Sequence, residues 1–217
     1  MIDWVLNIDP EKALLKGKAY SYTKRFLDVF FVLLSAPFVL PVLGIIAFLI
    51  KAGDWQAHVW FAQDRTGRGG TRFQMYKFRT MAPNAEKMKK ELMHLNELEW
   101  PDFKITNDPR ITRVGRILRK TSLDELPQLL NVLRGEMSLV GPRPTSFRSE
   151  TYKLWQTERL DILPGITGVW QIVGRGESEF DDRLPMDIAY IQHRCLWLDF
   201  QILLRTFLAV LQRKGAK

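Results

Sequence analysis

Hydrophobic and polar positions along the chain fall into stretches of different period. From Phe26 to Ile50 the residues are apolar without alternation, broken by Asp28. As a helix this run would be about 37 Å long, enough to cross a hydrocarbon core of roughly 30 Å. Val59 to Phe61 and Phe73 to Phe78 are short runs rich in aromatic and β-favouring residues. They flank Gly67-Arg68-Gly69-Gly70, which predicts two strands joined by a turn. Residues 84 to 99 place Met88, Leu92, Leu95 and Leu98 among lysines and glutamates between Pro83 and Pro101, a pattern that predicts an amphipathic helix. Between Arg110 and Lys120, cations at 110, 113, 116 and 119 interleave with Ile111, Val114, Ile117 and Leu118, as expected of a basic helix lying on anionic lipid. Leu123, Leu126, Leu130 and Leu133 then predict a helix with one buried leucine face ending near Gly135, which puts Asp124 and Glu125 in its first turn. Leu196 to Gln212 reads as a core or interfacial helix.

The apolar run admits two topologies. Pro37 and Pro41 lie in its middle, and basic residues flank both ends, Lys24-Arg25 before and Lys51 after. A spanning helix and a helix that breaks at Pro37 and returns to the same face both fit, and charge bias does not orient the first.

Composition narrows the partners. Lys and Arg outnumber Asp and Glu by 32 to 24 in 217 residues, a net charge of +8, so the partner is anionic: nucleic acid, lipid head groups or phosphorylated small molecules. The length suits one main domain. The single Cys195 excludes an internal disulfide, and three scattered histidines carry no zinc spacing. No phosphate-binding glycine loop, dinucleotide fingerprint, zinc-protease helix or serine nucleophile elbow is present.

Candidate chemistry concentrates between residues 119 and 144. Ser122-x-x-Glu125 matches a helix capping box, in which Asp124 would merely complement the helix dipole, although Pro127 fits a helix start at Asp124 better. The alternative is chemical. Gly141-Pro142-Arg143-Pro144 stiffens the backbone on both sides of one arginine, and an anion held by Arg119 and Arg143 beside a carboxylate suits phosphoryl transfer. The carboxylate would then be nucleophile or metal ligand. Tyr76-Lys77-Phe78-Arg79 is either a nucleotide or nucleic-acid surface or an ordinary half-buried strand. The glycines of residues 164 to 176, with Arg175 among them, allow close backbone approach to a ligand and equally suit a turn between strands.

Taken together, Tyr76 to Met81, Asn107-Asp108-Pro109-Arg110, Ser122 to Gln128, Gly141 to Pro144 and Pro164 to Arg175 resemble the bacterial monotopic phosphoglycosyl transferases, the polyprenyl-phosphate hexose-1-phosphate transferases that initiate exopolysaccharide and glycoconjugate synthesis. The resemblance runs from about Lys24 to Gly215. It implies an α+β fold: a re-entrant membrane helix hairpin and a small mixed helix and strand catalytic domain with interfacial amphipathic helices, on the cytoplasmic face of the bacterial inner membrane. The expected division is a basic N-terminal extension (1–23), the re-entrant helix (24–51) with its membrane break at Pro37 and Pro41, and the catalytic domain (52–217). The family break is commonly Ser-Pro, whereas here Ala36 precedes Pro37 and Ser35 comes one residue earlier.

The resemblance further implies that Asp124 is the nucleophile on the β-phosphorus of a UDP-sugar and a ligand of Mg²⁺, the expected cofactor. Glu125 completes the catalytic pair, and Lys77, Arg79, Arg119, Arg143, Gln171 and Arg175 contact substrate. The implied partners are a UDP-sugar, polyprenyl phosphate and bacterial membrane lipid, without nucleic acid; a homo-oligomer is left open. Residues 84 to 108 and Trp170-Gln171 look like the branch that uses hexose 1-phosphate, glucose or galactose. Longer relatives carry spanning helices and a soluble domain ahead of this unit, so the chain is expected to be a catalytic core with a short extension. The competing class is a non-enzymatic, membrane-anchored basic protein that binds nucleic acid or anionic lipid.

Overall fold

A computed structural model of the chain describes residues 2–97, 105–173 and 180–212. The long apolar run is the middle of helix α2 (Gly17–Gly53), which begins well before the apolar residues do. At 37 residues it is about 56 Å of helix, long and apolar enough to cross a membrane. The break expected at Pro37 is not a break in helical structure: the chain stays helical through Pro37 and Pro41. Each proline removes one intrahelical donor there, and the Ser35 hydroxyl donates to the Val32 carbonyl at 2.9 Å. Ser35 therefore makes a backbone bond one turn ahead of Pro37.

Both flanks of α2 pack on the same body. Val32 joins Phe73, Met75, Val132 and Met137, while Ile46 and Ile50 join Phe78 and Leu118. Between them Leu33, Leu34, Phe38 and Leu40 are exposed. The first residues are also part of this body. In α1 (Asp3–Leu6), Val5 is fully buried with Tyr190, Leu198 and Ile202, the Trp4 ring lies under Arg205 at 4.2 Å, and the Ile8 carbonyl meets His193 Nδ1 at 2.6 Å.

Strands β1 (Trp60–Thr66) and β2 (Arg72–Phe78) form the expected antiparallel hairpin, with Trp60 opposite Phe78 and Thr66 opposite Arg72. Phe73, Met75 and Phe78 of β2 are buried. The next helix, α3 (Ala85–Glu91), is shorter than expected, and residues 98 to 104 lie outside the described ones. A second sheet pairs β3 (Ser138–Val140) in parallel with β4 (Gly165–Thr167). The chain closes with α6 (Val169–Val173), α7 (Phe180–His193) and α8 (Leu196–Leu211). Helix α8 is both core and surface: Leu198, Ile202 and Ala209 are buried, and Trp197, Phe200, Leu204 and Phe207 are exposed.

Two sequence readings need correction. The helix expected from about Leu123 to Gly135 starts late: Leu123–Glu125 is a short 3-10 turn between α4 (Arg113–Thr121), formed by the basic stripe, and α5 (Gln128–Arg134). Ser122 adopts a left-handed conformation (φ 56°) and closes α4, its N–H donating to the carbonyls of Arg119 and Leu118. It does not cap the next helix through its side chain, so the capping box is not formed. Nor do the leucines define the buried face of α5. That face is Gln128, Asn131 and Val132, while Leu130 and Leu133 are exposed, because the carboxamide of Asn131 replaces a neighbouring strand along β2. Its Oδ1 accepts from Tyr76 N at 3.1 Å and its Nδ2 donates to Gln74 O at 2.7 Å.

The basic stripe of residues 110 to 119 also divides. Arg110 is 4% exposed and forked onto Asp108 at 2.6 Å, and Arg119 turns inward, which leaves Arg113, Arg116 and Lys120 facing outward with Ile117. Gly115 lets α4 come this close to the end of β2, since a β-carbon there would lie 2.0 Å from the Thr80 carbonyl oxygen.

Candidate active site

The end of β2, the 3-10 turn, the Gly141–Pro144 segment and α6 converge on a cavity of about 550 Å³. Lys77, Arg79, Arg119, Asp124, Glu125, Arg143 and Gln171, all singled out in the sequence, line it together with Trp170 and Thr80. Arg175 lies outside the described residues.

The two carboxylates stand in different environments. Glu125 accepts from Lys77 Nζ at 3.1 Å and from both ends of the Arg143 guanidinium, at 3.3 Å on Oε2 and more closely on Oε1. Burial alone would push its carboxyl up, but the charges and hydrogen bonds of Arg143 and Lys77 outweigh burial and hold it well below the usual carboxylate range. Glu125 is thus a fixed anion. Asp124 has no hydrogen bond or ion pair among the described residues, and it faces the cavity. Burial raises its carboxyl above the ordinary range, and the Glu125 charge adds to this, against the pull of Lys77, Arg119 and Arg143. A 3-10 turn is what gives adjacent residues these separate fates: Glu125 reaches back to β2 and across to Arg143, while Asp124 is left open.

The cations are held individually. Arg119 Nε donates to Thr80 Oγ1 at 2.9 Å. Arg79 points into the cavity wall with its buried Nε unpaired among the described residues. Burial lowers the Lys77 ammonium below its ordinary range despite the neighbouring Glu125. Gln171 Nε2 donates to the Ile166 carbonyl at 3.0 Å, leaving Oε1 buried without a partner. The residue next to Lys77 takes no part, because Tyr76 is stacked under Arg134 at 5.1 Å and hydrogen-bonded to it at 2.6 Å. The Tyr76–Arg79 stretch therefore presents its cations inward instead of as an outward nucleic-acid stripe.

Residues that sequence reasoning missed hold Arg143 in place. Arg159 NH2 donates to the Arg143 carbonyl at 2.7 Å and lies 2.8 Å from Asp187, itself 1% exposed. The glycines after Pro164 serve the same loop. A β-carbon on Gly165 would meet Gly141 N at 2.1 Å, and one on Gly168 would meet Gly141 O at 2.5 Å, so their close approach is to the Arg143 segment. No local pattern relates Arg159 and Asp187 to residue 143; only the fold brings them together.

A divalent cation bound together with a phosphorylated substrate would have Asp124 to hold it. Among the described residues no three His, Cys, Asp or Glu side chains come together as a metal cage. Mg²⁺, however, is commonly held by one or two carboxylates plus substrate phosphates, and Asp124 is an open carboxylate between three cations that suit phosphate.

Comparison with known proteins identifies the family. The chain is 44% identical over 211 residues to galactosyl transferase CpsE of Streptococcus agalactiae, an alignment covering 92% of this chain and 45% of that protein. It is 44% identical to the undecaprenyl-phosphate galactose phosphotransferase of Salmonella typhimurium (79% and 39% covered) and 37% identical to the exopolysaccharide production protein ExoY of Sinorhizobium fredii (89% and 88%). The chain thus spans less than half the length of the first two and most of the third. Residues 19–213 match the bacterial sugar transferase family as a whole, and with a cavity that gathers carboxylates and arginines, the chain belongs to the bacterial sugar transferase family.

Proposed function

We propose that this chain transfers a hexose 1-phosphate from a UDP-sugar to polyprenyl phosphate at the cytoplasmic face of the bacterial plasma membrane, releasing UMP, as the first membrane step of exopolysaccharide or glycoconjugate synthesis. The single observation that carries the reading is the open, burial-raised carboxylate of Asp124 beside a Glu125 clamped by Lys77 and Arg143. A carboxylate kept free of partners and made more basic by its surroundings is suited to attack.

An Asp124 oxygen attacks the β-phosphorus of the UDP-sugar, the bond to the bridging oxygen breaks, and UMP departs with that electron pair. The phosphosugar is left on Asp124 as an acyl phosphate. An oxygen of polyprenyl phosphate then attacks the same phosphorus, forming the lipid diphosphate sugar and restoring the Asp124 carboxylate. Lys77, Arg119 and Arg143 offset charge on the phosphoryl oxygens in both steps, and Glu125 keeps two of those cations in position. Bound Mg²⁺, held by Asp124 and substrate oxygens, would supply further charge stabilisation.

The acceptor is a membrane lipid, and α2 suits that role. The packing of both its flanks on one body supports a segment that dips into the membrane and returns to the face it entered from, with Pro37 and Pro41 weakening the helix between them. The exposed apolar side chains of α8, with Leu130 and Leu133 of α5, then rest in the interface. Galactose and glucose are the sugars to test first, the names of two relatives specifying galactose.

Incubation with UDP-galactose or UDP-glucose and Mg²⁺ without lipid acceptor should release UMP once per active site and add one phosphohexose to a peptide containing Asp124, removable by hydroxylamine. Asp124→Asn should abolish the adduct and turnover. A folded Asp124→Asn protein that still forms the adduct would place the nucleophile elsewhere.

A further inference from the structure

A second cavity, of about 370 Å³, lies at the root of α2, within the size range of small-ligand sites. Three segments remote in sequence meet there: the first turns of α2 with Lys24, Arg25 and Asp28, the β1–β2 turn with Arg68, and the α7–α8 turn with Arg194. Asp161 completes the charged lining.

Some of these charges are already used. Lys24 Nζ lies 3.1 Å from Asp199 and 4.0 Å from Asp28. Asp28 accepts from Ser138 Oγ at 2.7 Å and Leu139 N at 3.3 Å, and Tyr20 and Tyr190 donate to Asp199 at 2.9 and 2.6 Å. Arg25 donates to the carbonyls of Val132 and Leu133 at 2.5 and 3.1 Å. This network ties α2 to β3, α5 and α8. By contrast, the side chains of Arg68, Arg194 and Asp161 have no hydrogen bond or ion pair among the described residues. Counting Lys24, Arg25, Arg68 and Arg194 against Asp28, Asp161 and Asp199, four positive charges face three negative, an excess of +1.

We propose that this cavity binds the phosphodiester head group of an anionic phospholipid of the phosphatidylglycerol type. Arg68 and Arg194 take the phosphate, since guanidinium forks match its oxygens, and Asp161 accepts from a head-group hydroxyl. The excess of one positive charge matches a head group of charge −1 better than a zwitterionic one. Location supports a lipid over a soluble anion. Tyr22 (75% exposed) and Phe26 (66%) stand beside the cavity where the apolar run begins, and Trp197 (59%) follows Arg194, the kind of aromatic belt found at a membrane surface. The proposal rests on the membrane-embedded reading of α2. A bound head group would link three segments that share no covalent continuity and would fix the root of α2 against the hairpin turn.

The test titrates the full chain, in an uncharged detergent, with dihexanoyl phosphatidylglycerol and follows the melting temperature, which rises with ligand by mass action. The Arg68→Ala/Arg194→Ala variant should need at least ten-fold more lipid for the same rise. Its unliganded melting should stay close to wild type, because neither side chain has a hydrogen bond or ion pair to lose among the described residues; if it does not, Arg68→Ala alone, on the exposed turn, is read instead with the same expectation. Arg116→Ala, which removes an exposed cation on α4, should respond as wild type. A wild-type response in the double variant, an equal loss in Arg116→Ala, or equal protection by inorganic phosphate or dihexanoyl phosphatidylcholine would each overturn the head-group site. Co-sedimentation with pure phosphatidylcholine vesicles reads the embedding of α2 separately, while the short-chain titration needs no bilayer and decides the head-group site in either case.

Discussion

Removing the charge of Glu125 and removing that of Asp124 should change stability in opposite directions. Glu125 holds Lys77 and Arg143 through three hydrogen bonds, and the side chains are 16%, 17% and 27% exposed respectively. Glu125→Gln leaves two mostly buried cations without their counter-charge. Breaking a fully buried pair costs about 3–5 kcal/mol; residual solvent contact here reduces the expectation to about 2–3 kcal/mol. For a chain of this size that is a melting-temperature drop on the order of 4–12 °C. Asp124→Asn removes a charge that burial disfavours and that forms no ion pair among the described residues, so melting should stay level or rise while turnover is lost, the trade-off expected of a functional group. The pH dependence carries the same signs. Because the folded state lowers the Glu125 pKa from 4.5, its stabilisation is fully present above that value and lost as pH falls through the folded one. The gap between wild type and Glu125→Gln should therefore be flat from neutral pH down to the ordinary carboxylate range and shrink below it. Asp124 has a raised pKa, so any advantage of Asn should be present at neutral pH and vanish on acidification. Thermal unfolding in detergent across pH reads all of this. Glu125→Gln melting within about 1 °C of wild type, or Asp124→Asn losing as much stability as Glu125→Gln, would refute the division of roles.

Arg159→Met should remove the 2.8 Å ion-pair partner of buried Asp187, leaving only the charge of Arg183 near it, and free the Arg143 carbonyl, lowering stability by about 3 kcal/mol at pH 8. The loss should be smaller at pH 5, because burial has already pushed the Asp187 carboxyl up to about 6 and protonation removes the unpaired charge; an equal loss at both values, read by thermal unfolding, would contradict this. Gly165→Ala should displace the Arg143 segment and reduce turnover sharply, since the new β-carbon would lie 2.1 Å from a backbone nitrogen that cannot move alone; normal turnover would mean that the loop is free to shift. Single cysteines at Lys18 and Trp55 should share one accessibility to an impermeant label in a Cys195→Ser background, where the serine oxygen can still accept from Leu198 N. Labels on opposite membrane faces would refute the return of α2.

The residue pattern by itself determined the local elements and the set of groups with chemistry to offer. The aromatic and β-favouring residues of 73 to 78 and the glycine turn suffice for the hairpin, because strand preference and a tight turn are short-range properties. The rigid Pro-Arg-Pro segment and the adjacent carboxylates were legible as unusual in the same way, and the fold gathers them around one cavity. Tertiary structure decided what each group does there. Spacing treats Asp124 and Glu125 as equivalent; Lys77, 48 positions before Glu125, and Arg143, 18 after it, make one of them a fixed anion and leave the other open. Local periodicity also misjudged α5, where Leu130 and Leu133 outweighed one asparagine, since the value of Asn131 lies in the backbone groups of β2 more than fifty positions away. Arg159 and Asp187 carry no local mark for the same reason: a buried ion pair is made by two distant segments meeting, and neither segment alone encodes the other's approach.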